Sequence, residues 1–167
     1  DFESAIQWLV ASGLVHQIFR ITKPNLPLGG YQDNVFKLYF VDVGLLTAKT
    51  RLDVSVLLAG NRLFTEFKGA LTEQYVLQQL LVSGLEPIFY WGLERAIAEV
   101  DFVVQHGSQI IPIEVKAEEN LKAKSLRSYY DKFKPEKVFR TSMSDYRKQD
   151  WLVNLPLYAL ANFRSLE

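Results

Sequence analysis

Four charged side chains stand along the chain in an order that chemistry can use: Glu73, Asp101, Glu114 and Lys116. The last two form a Glu-x-Lys within Ile111-Pro-Ile-Glu-Val-Lys116, and twelve residues separate Asp101 from Glu114. Side chains alternate across a strand, so Glu114 and Lys116 share one face of this run while Ile113 and Val115 share the other. By the same rule Glu99 and Asp101 share a face opposite Val100 and Phe102, and pairing the two runs would set Asp101 beside Glu114. Two carboxylates and an amine would then converge. Hard oxygen donors of this kind suit Mg or Mn, of which Mg keeps several waters and needs only one or two carboxylates from protein. The metal would serve as Lewis acid, and Lys116 would orient or deprotonate an attacking water and offset charge developing on a phosphate.

Glu73 extends the set. Positions 66, 69, 70, 73, 76, 77 and 80 lie on one face of a helix and read Glu, Gly, Ala, Glu, Val, Leu, Leu, an acid inside a largely apolar stripe. Gly69 and Ala70 should let this helix approach a sheet closely and hold Glu73 over the strands of Asp101 and Glu114, and a carboxylate so placed needs a partner. The bland alternative is a group of ordinary ion pairs, since a lone Glu-x-Lys arises by chance in many chains. What separates a built site from coincidence is the ordered set of helix acid, strand acid and strand Glu-x-Lys. Other candidates carry less. His16 and His106 are the only histidines, and neither has a nucleophile elbow or a Gly-rich phosphate loop beside it. Phe89, Tyr90, Trp91, Tyr129, Tyr130 and Phe133 recur at strand and helix spacing, which reads as core before it reads as a base-stacking platform.

The elements that must position these residues follow from periodicity. Phe2, Ile6, Leu9 and Val10 predict a first helix stopped by Gly13. Leu14 to Ile21 and Phe36 to Val41 are strand-like on either side of a Pro- and Gly-rich breaker from Lys23 to Gly30. Helix then hairpin is a winged-helix-like pattern, and residues 1–61 form this appendage. Asp42 and Asp53 are each placed to cap a short helix, the second running from Val54 to Ala59 and closed by Gly60. Residues 62–167 form the main domain. Its long helix runs from Phe64 to Val82 and ends at Gly84, and strands follow at Pro87 to Trp91, Ala98 to Val104 and Gln109 to Val115, the last two joined at His106-Gly107-Ser108. Ser125 should cap a helix through Phe133, Pro135 interrupts, and Lys137 to Met143 forms a strand able to lie parallel to its neighbour. The order is α-β-β-β-α-β. The run from Trp151 to Phe163 is apolar enough to pack back on the body.

Composition bounds the rest. The chain has 167 residues, about half of them apolar, enough for one good core and a small appendage. Cysteine is absent, which excludes disulfide staples and thiolate-held zinc or iron-sulfur clusters and suits a reducing compartment. No run approaches the roughly 18 apolar residues of a membrane span, so a soluble, cytoplasmic protein with no membrane partner is expected. The chain starts at Asp1 and enters a helical pattern at once, which suggests a piece of a longer polypeptide. Net charge is zero but unevenly spread: Glu86 to Glu119 is acidic, whereas Leu121 to Lys148 is basic through Lys122, Lys124, Arg127, Lys132, Lys134, Lys137, Arg140, Arg147 and Lys148. An acidic hollow beside a basic flank, or an ordinary solvated helix face, both fit this pattern.

The site residues also carry a resemblance. Glu73 on its helix, Glu99-Val-Asp-Phe102 and Ile113-Glu-Val-Lys116 resemble the PD-(D/E)XK nuclease-like fold, whose restriction-endonuclease-like core is α-β-β-β-α-β in a mixed sheet with an acid on the first helix. Trp8-Leu-Val-Ala-Ser-Gly-Leu14, Phe36-Lys-Leu-Tyr-Phe-Val-Asp-Val-Gly-Leu-Leu46, Gly69-Ala-Leu-Thr-Glu73 and Tyr90-Trp91 are similar to the uncharacterised C-terminal domain of a large group of bacterial and archaeal AAA-type ATPases. This likeness covers nearly the whole chain. It implies an ATPase module in the same polypeptide, and the sequence here holds no Walker A. It further implies Asp101 and Glu114 as metal ligands, Lys116 as the catalytic lysine and Glu73 as an auxiliary acid. The usual proline before the strand acid is replaced by Val100. The expected function is a metal-dependent phosphodiesterase acting on DNA; the alternatives are a non-catalytic DNA-binding or regulatory module of the ATPase, or a partner interface on the helix and hairpin.

Overall fold

The computed structural model describes residues 2–53, 55–56, 65–93, 98–117 and 123–165. Helix α1 (Phe2–Ala11) ends at Gly13, whose φ is 72°. The Leu14 N–H donates to the Leu9 carbonyl at 3.1 Å and the Gly13 N–H to Val10 at 3.0 Å, the paired closing bonds that require a left-handed residue. Strand β1 (Val15–Ile21) then leads through a 3-10 turn (Leu28–Tyr31) into β2 (Gln32–Phe40), which begins four residues before the first apolar residue that marked it in the sequence. The two pair antiparallel, from Val15 opposite Phe40 to Ile21 opposite Gln32. Asp42 caps α2 (Val43–Thr50) by accepting the Leu45 N–H at 2.7 Å. Asp53 likewise accepts the Ser55 N–H at 2.8 Å; of the helix expected from Val54 to Ala59, Ser55 and Val56 are helical, and the rest of it and the boundary at 61 lie outside the described residues.

Helix α3 (Thr65–Val82) closes as α1 does. Gly84 has φ 69°, the Leu85 N–H donates to Leu80 at 3.1 Å and the Gly84 N–H to Leu81 at 2.8 Å. Strands β3 (Ile88–Gly92), β4 (Glu99–His106) and β5 (Gln109–Lys116) form an antiparallel meander. Helix α4 (Lys124–Phe133) then crosses to β6 (Phe139–Ser142), which runs parallel to β5. From α3 onward the element order is the expected α-β-β-β-α-β, followed by β7 (Arg147–Lys148), β8 (Val153–Pro156) and 3-10 turns over Leu157–Ser165. The helix at 124 is not capped by Ser125: its N-cap is Ala123, which makes no side-chain bond, and Ser125 sits inside the first turn.

All eight strands belong to one mixed sheet, ordered β2-β1-β3-β4-β5-β6-β8-β7. The N-terminal hairpin joins it through β1, which lies parallel to β3 with Arg20 opposite Tyr90 and Ile21 opposite Trp91. On one face Val76, Leu77 and Leu80 of α3 pack with Phe102, Val104, Ile111 and Ile113, covered at the end by Leu160 and Phe163. On the other, Leu126 and Tyr129 of α4 pack with Trp91, Val100 and Val103. Each such aliphatic or aromatic side chain contributes about 1.5–3 kcal/mol through burial. The close approach expected at Gly69 and Ala70 does not occur. A Cβ at Gly69 would meet nothing within 4 Å and Ala70 is exposed, because the helix makes its buried contact further along, from Gln74 to Leu80. Among the described residues no helix is long and apolar enough to cross a membrane.

Candidate functional site

The three strand residues reach the site by an irregularity. The β3–β4 register slips between Phe89 and Trp91, so that two residues of β4, Asp101 and Phe102, stand where β3 supplies only Tyr90. Such a bulge breaks the alternation of faces. Val100 therefore packs with the α4 core while Phe102 packs with the α3 core, which corrects the expectation that they share a face. Ile113 and Val115 do share one, toward α3. The β4–β5 ladder ends at Phe102 opposite Ile113. One step beyond, the Asp101 carboxylate takes the place of a main-chain acceptor and receives the Val115 N–H at 2.7 Å.

Glu114 is 5 % exposed. One of its oxygens pairs with the Lys116 Nζ at 2.6 Å; the other, Oε2, is buried without a hydrogen-bond partner. Glu73, half-buried on α3, accepts the Tyr39 hydroxyl at 3.1 Å. Lys37, two residues before Tyr39 on β2, pairs with Glu99 and lies 4.9 Å from the Tyr90 ring centroid. The structure thus brings Glu73, Asp101, Glu114 and Lys116 together and adds Lys37, Tyr39 and Glu99. The sequence signal for the additions was a lysine inside the otherwise apolar run Val35 to Phe40. Nothing local could assign Lys37 and Tyr39 to acids 34 to 64 residues away, since the pairing that carries β2 there runs through β1 and β3.

The electrostatics follow from crowding. Burial pushes the Asp101 carboxyl well above the usual carboxylate range, and the charges of Glu114 and Glu73 push the same way against the Val115 hydrogen bond and Lys37. Burial also raises Glu114, more than Lys116 pulls it back, with Glu73 and Glu99 adding to the rise. Burial alone would lower the Lys37 ammonium, but the bonded Glu99, with Glu73 and Asp101 beyond it, holds it above the ordinary lysine value. The Tyr39 hydroxyl is driven far up by burial and by the Glu73 charge beside it. With Lys37 given to Glu99, three acids face one ammonium at the centre of the site, two positive charges short of neutrality.

A divalent cation has the charge the centre lacks, and its preferred donors are the oxygens present. Asp101 and Glu114 would hold it, the orphaned Glu114 Oε2 being the donor already free. Among the described residues no group of three or more His, Cys, Asp or Glu side chains is arranged to hold a metal ion. The basic flank expected after residue 121 is partly consumed inside the protein. Arg140 is 3 % exposed and donates to Asn154 at 2.9 Å, and Arg127 and Lys134 share Asp131 at 3.0 and 3.4 Å. Lys124, Arg127, Lys132, Lys134, Arg147 and Lys148 are exposed; Glu94, Arg95, Glu118, Glu119 and Lys122 lie outside the described residues.

These features define a mixed α/β protein with a carboxylate and lysine centre at the end of its meander. Residues 68–160, more than half of the chain, match the family described as Domain of unknown function (DUF4143), and the chain belongs to that family. Residues 1–55 match a second, Domain of unknown function (DUF8612). No curated protein and no solved structure matches the chain. Glu73, Asp101, Glu114 and Lys116 fall inside the first match, Lys37 and Tyr39 inside the second.

Proposed function

We propose that the chain carries the PD-(D/E)XK nuclease-like C-terminal domain of an AAA-type ATPase and acts as a metal-dependent phosphodiesterase on DNA. The observation that supports this most is the buried Glu114 Oε2 with no partner, next to an Asp101 carboxyl that burial, and then its acidic neighbours, keep from ionising readily. A buried unpaired acceptor costs about 1–3 kcal/mol, and a cation bound there would satisfy it. The order of helix acid on α3, bulged strand acid on β4 and Glu-x-Lys on β5 supports the same reading, as does the resemblance to ATPase-borne domains.

Asp101 and Glu114 would hold Mg or Mn, which supplies Lewis acidity at a phosphoryl oxygen and a more acidic water. Asp101 would have to give up the proton that burial and the neighbouring acids favour before it could hold the ion. Lys116, held 2.6 Å from Glu114, would orient the attacking water and meet charge developing on the phosphate. Glu73, fixed by Tyr39, would act as the auxiliary acid that accepts a proton from that water's shell.

Calorimetric titration of manganese into wild type and into the Asp101→Ala, Glu114→Ala double variant, with plasmid nicking followed in parallel, tests the reading. Wild type should bind the ion and nick DNA only in its presence, and the variant should do neither. Full nicking by the variant would overturn the mechanism. Salt-sensitive DNA binding by a wild type that takes up no ion would favour the non-catalytic DNA-binding or regulatory module instead.

A further inference from the structure

Lys37 has two features that a structural ion pair does not need. Its partner Glu99 is the most exposed acid of the site, with a side chain 44 % accessible against 26 % for Lys37 itself. A pair so wet contributes little to stability. Behind it, however, Lys37 lies within electrostatic reach of Glu73 and Asp101, the acids on which the proposed chemistry turns. In the sheet order, β2 stands on the opposite side of β4 from β5. The two lysines therefore approach the acids from opposite flanks, Lys37 from the hairpin and Lys116 from the meander.

We propose that Lys37 is a nucleic-acid-binding residue of this site, its ammonium exchanging Glu99 for a backbone phosphate of the bound strand. The inference rests on the nuclease reading for its substrate class and goes beyond it by making β2 part of the substrate cleft. The exchange is inexpensive because Glu99 returns to water as Lys37 gains another anion. The Lys37 Nζ itself lies over the Tyr90 ring, so the ammonium is positioned before the strand arrives. An arginine in its place would keep the charge, whereas a glutamine would keep the stem and lose it.

The full chain as wild type, Lys37→Gln and Lys37→Arg is titrated with a fluorescent DNA duplex in calcium, over 50 to 200 mM salt, and each protein is separately titrated with manganese. Lys37→Gln should weaken DNA binding roughly fivefold and lower the salt slope by about one. Lys37→Arg should restore most of the loss, and manganese affinity should not fall in either variant. DNA binding by Lys37→Gln equal to wild type, with metal-dependent nicking intact, overturns the role of Lys37 and leaves the nuclease reading standing. DNA binding that depends on Lys37 in a protein that takes up no manganese upholds the contact and overturns the metal-dependent reaction. A fall in manganese affinity in Lys37→Gln that Lys37→Arg does not repair overturns the proposal, because Lys37 would then be supporting the acids rather than the strand.

Discussion

At the scale of the residue, the site carries its own pH signature. The Asp101 carboxyl sits above its ordinary value of 3.8 and Glu114 above 4.5. An acid raised on folding leaves the native state holding more protons than the unfolded chain, so stability falls as pH climbs from the ordinary value through the raised one. Asp101→Asn removes the charge and keeps an oxygen for the Val115 N–H. The variant should melt like wild type near pH 4 and rise above it with increasing pH, by about 2–5 °C at pH 8 for a gain on the order of 1–2 kcal/mol. It should also lose manganese uptake. Melting curves of the metal-free proteins between pH 4 and 8 check this; a difference that stays constant with pH would remove the repulsion argument. The three acids and the lysine of the centre were legible from type and spacing alone. The bulge that turns Asp101 toward Val115 was not, because a single extra residue in a ladder leaves no mark on an apolar pattern.

At the scale of the element, α4 shows where local rules held and where packing overrode them. Lys134 takes the left-handed position after the helix, with φ 49°, and Pro135 follows as the sequence implied. Ser125 was a reasonable cap by residue type, yet Ala123 occupies the position and Leu126 and Tyr129 are fully buried; the apolar face set the start of the helix, not the hydroxyl. Trp91, Tyr129 and Phe133 form a cluster of edge-to-face and tilted rings with centroids 4.9–5.6 Å apart. The Tyr129 hydroxyl and the Trp91 indole nitrogen are buried there without partners, so the ring supplies the stabilisation and the hydroxyl opposes it. Tyr129→Phe should therefore be neutral or stabilising by up to about 1 kcal/mol. Tyr129→Ala, which opens a cavity, should cost about 3–5 kcal/mol. Urea unfolding separates the two, and a Phe variant weaker than wild type by more than 1 kcal/mol would mean that the hydroxyl is satisfied in solution.

At the scale of the whole molecule, the issue is whether hairpin and meander fold together. Periodicity marked both, but it could not join them: the β1–β3 pairing brings residues 20 and 90 side by side, and a parallel contact of such long range has no short-range signal. The join is apolar and dry, with Ile21 fully buried opposite Trp91, itself 1 % exposed. A seam of this kind should couple the two parts in one transition. Far-UV circular dichroism and Trp fluorescence should then give the same urea midpoint, even though Trp8 on α1 is largely exposed and Trp91 reports the seam. Ile21→Ala should lower that shared midpoint by an amount worth about 2–5 kcal/mol without splitting the transition. Two resolved transitions, the Trp91 emission shifting in the first while much of the circular dichroism persists, would show the hairpin unfolding by itself. Lys37 and Tyr39 would then leave the site before the meander melts, so the strength of this seam also sets how long the two flanks of the acidic centre stay opposed.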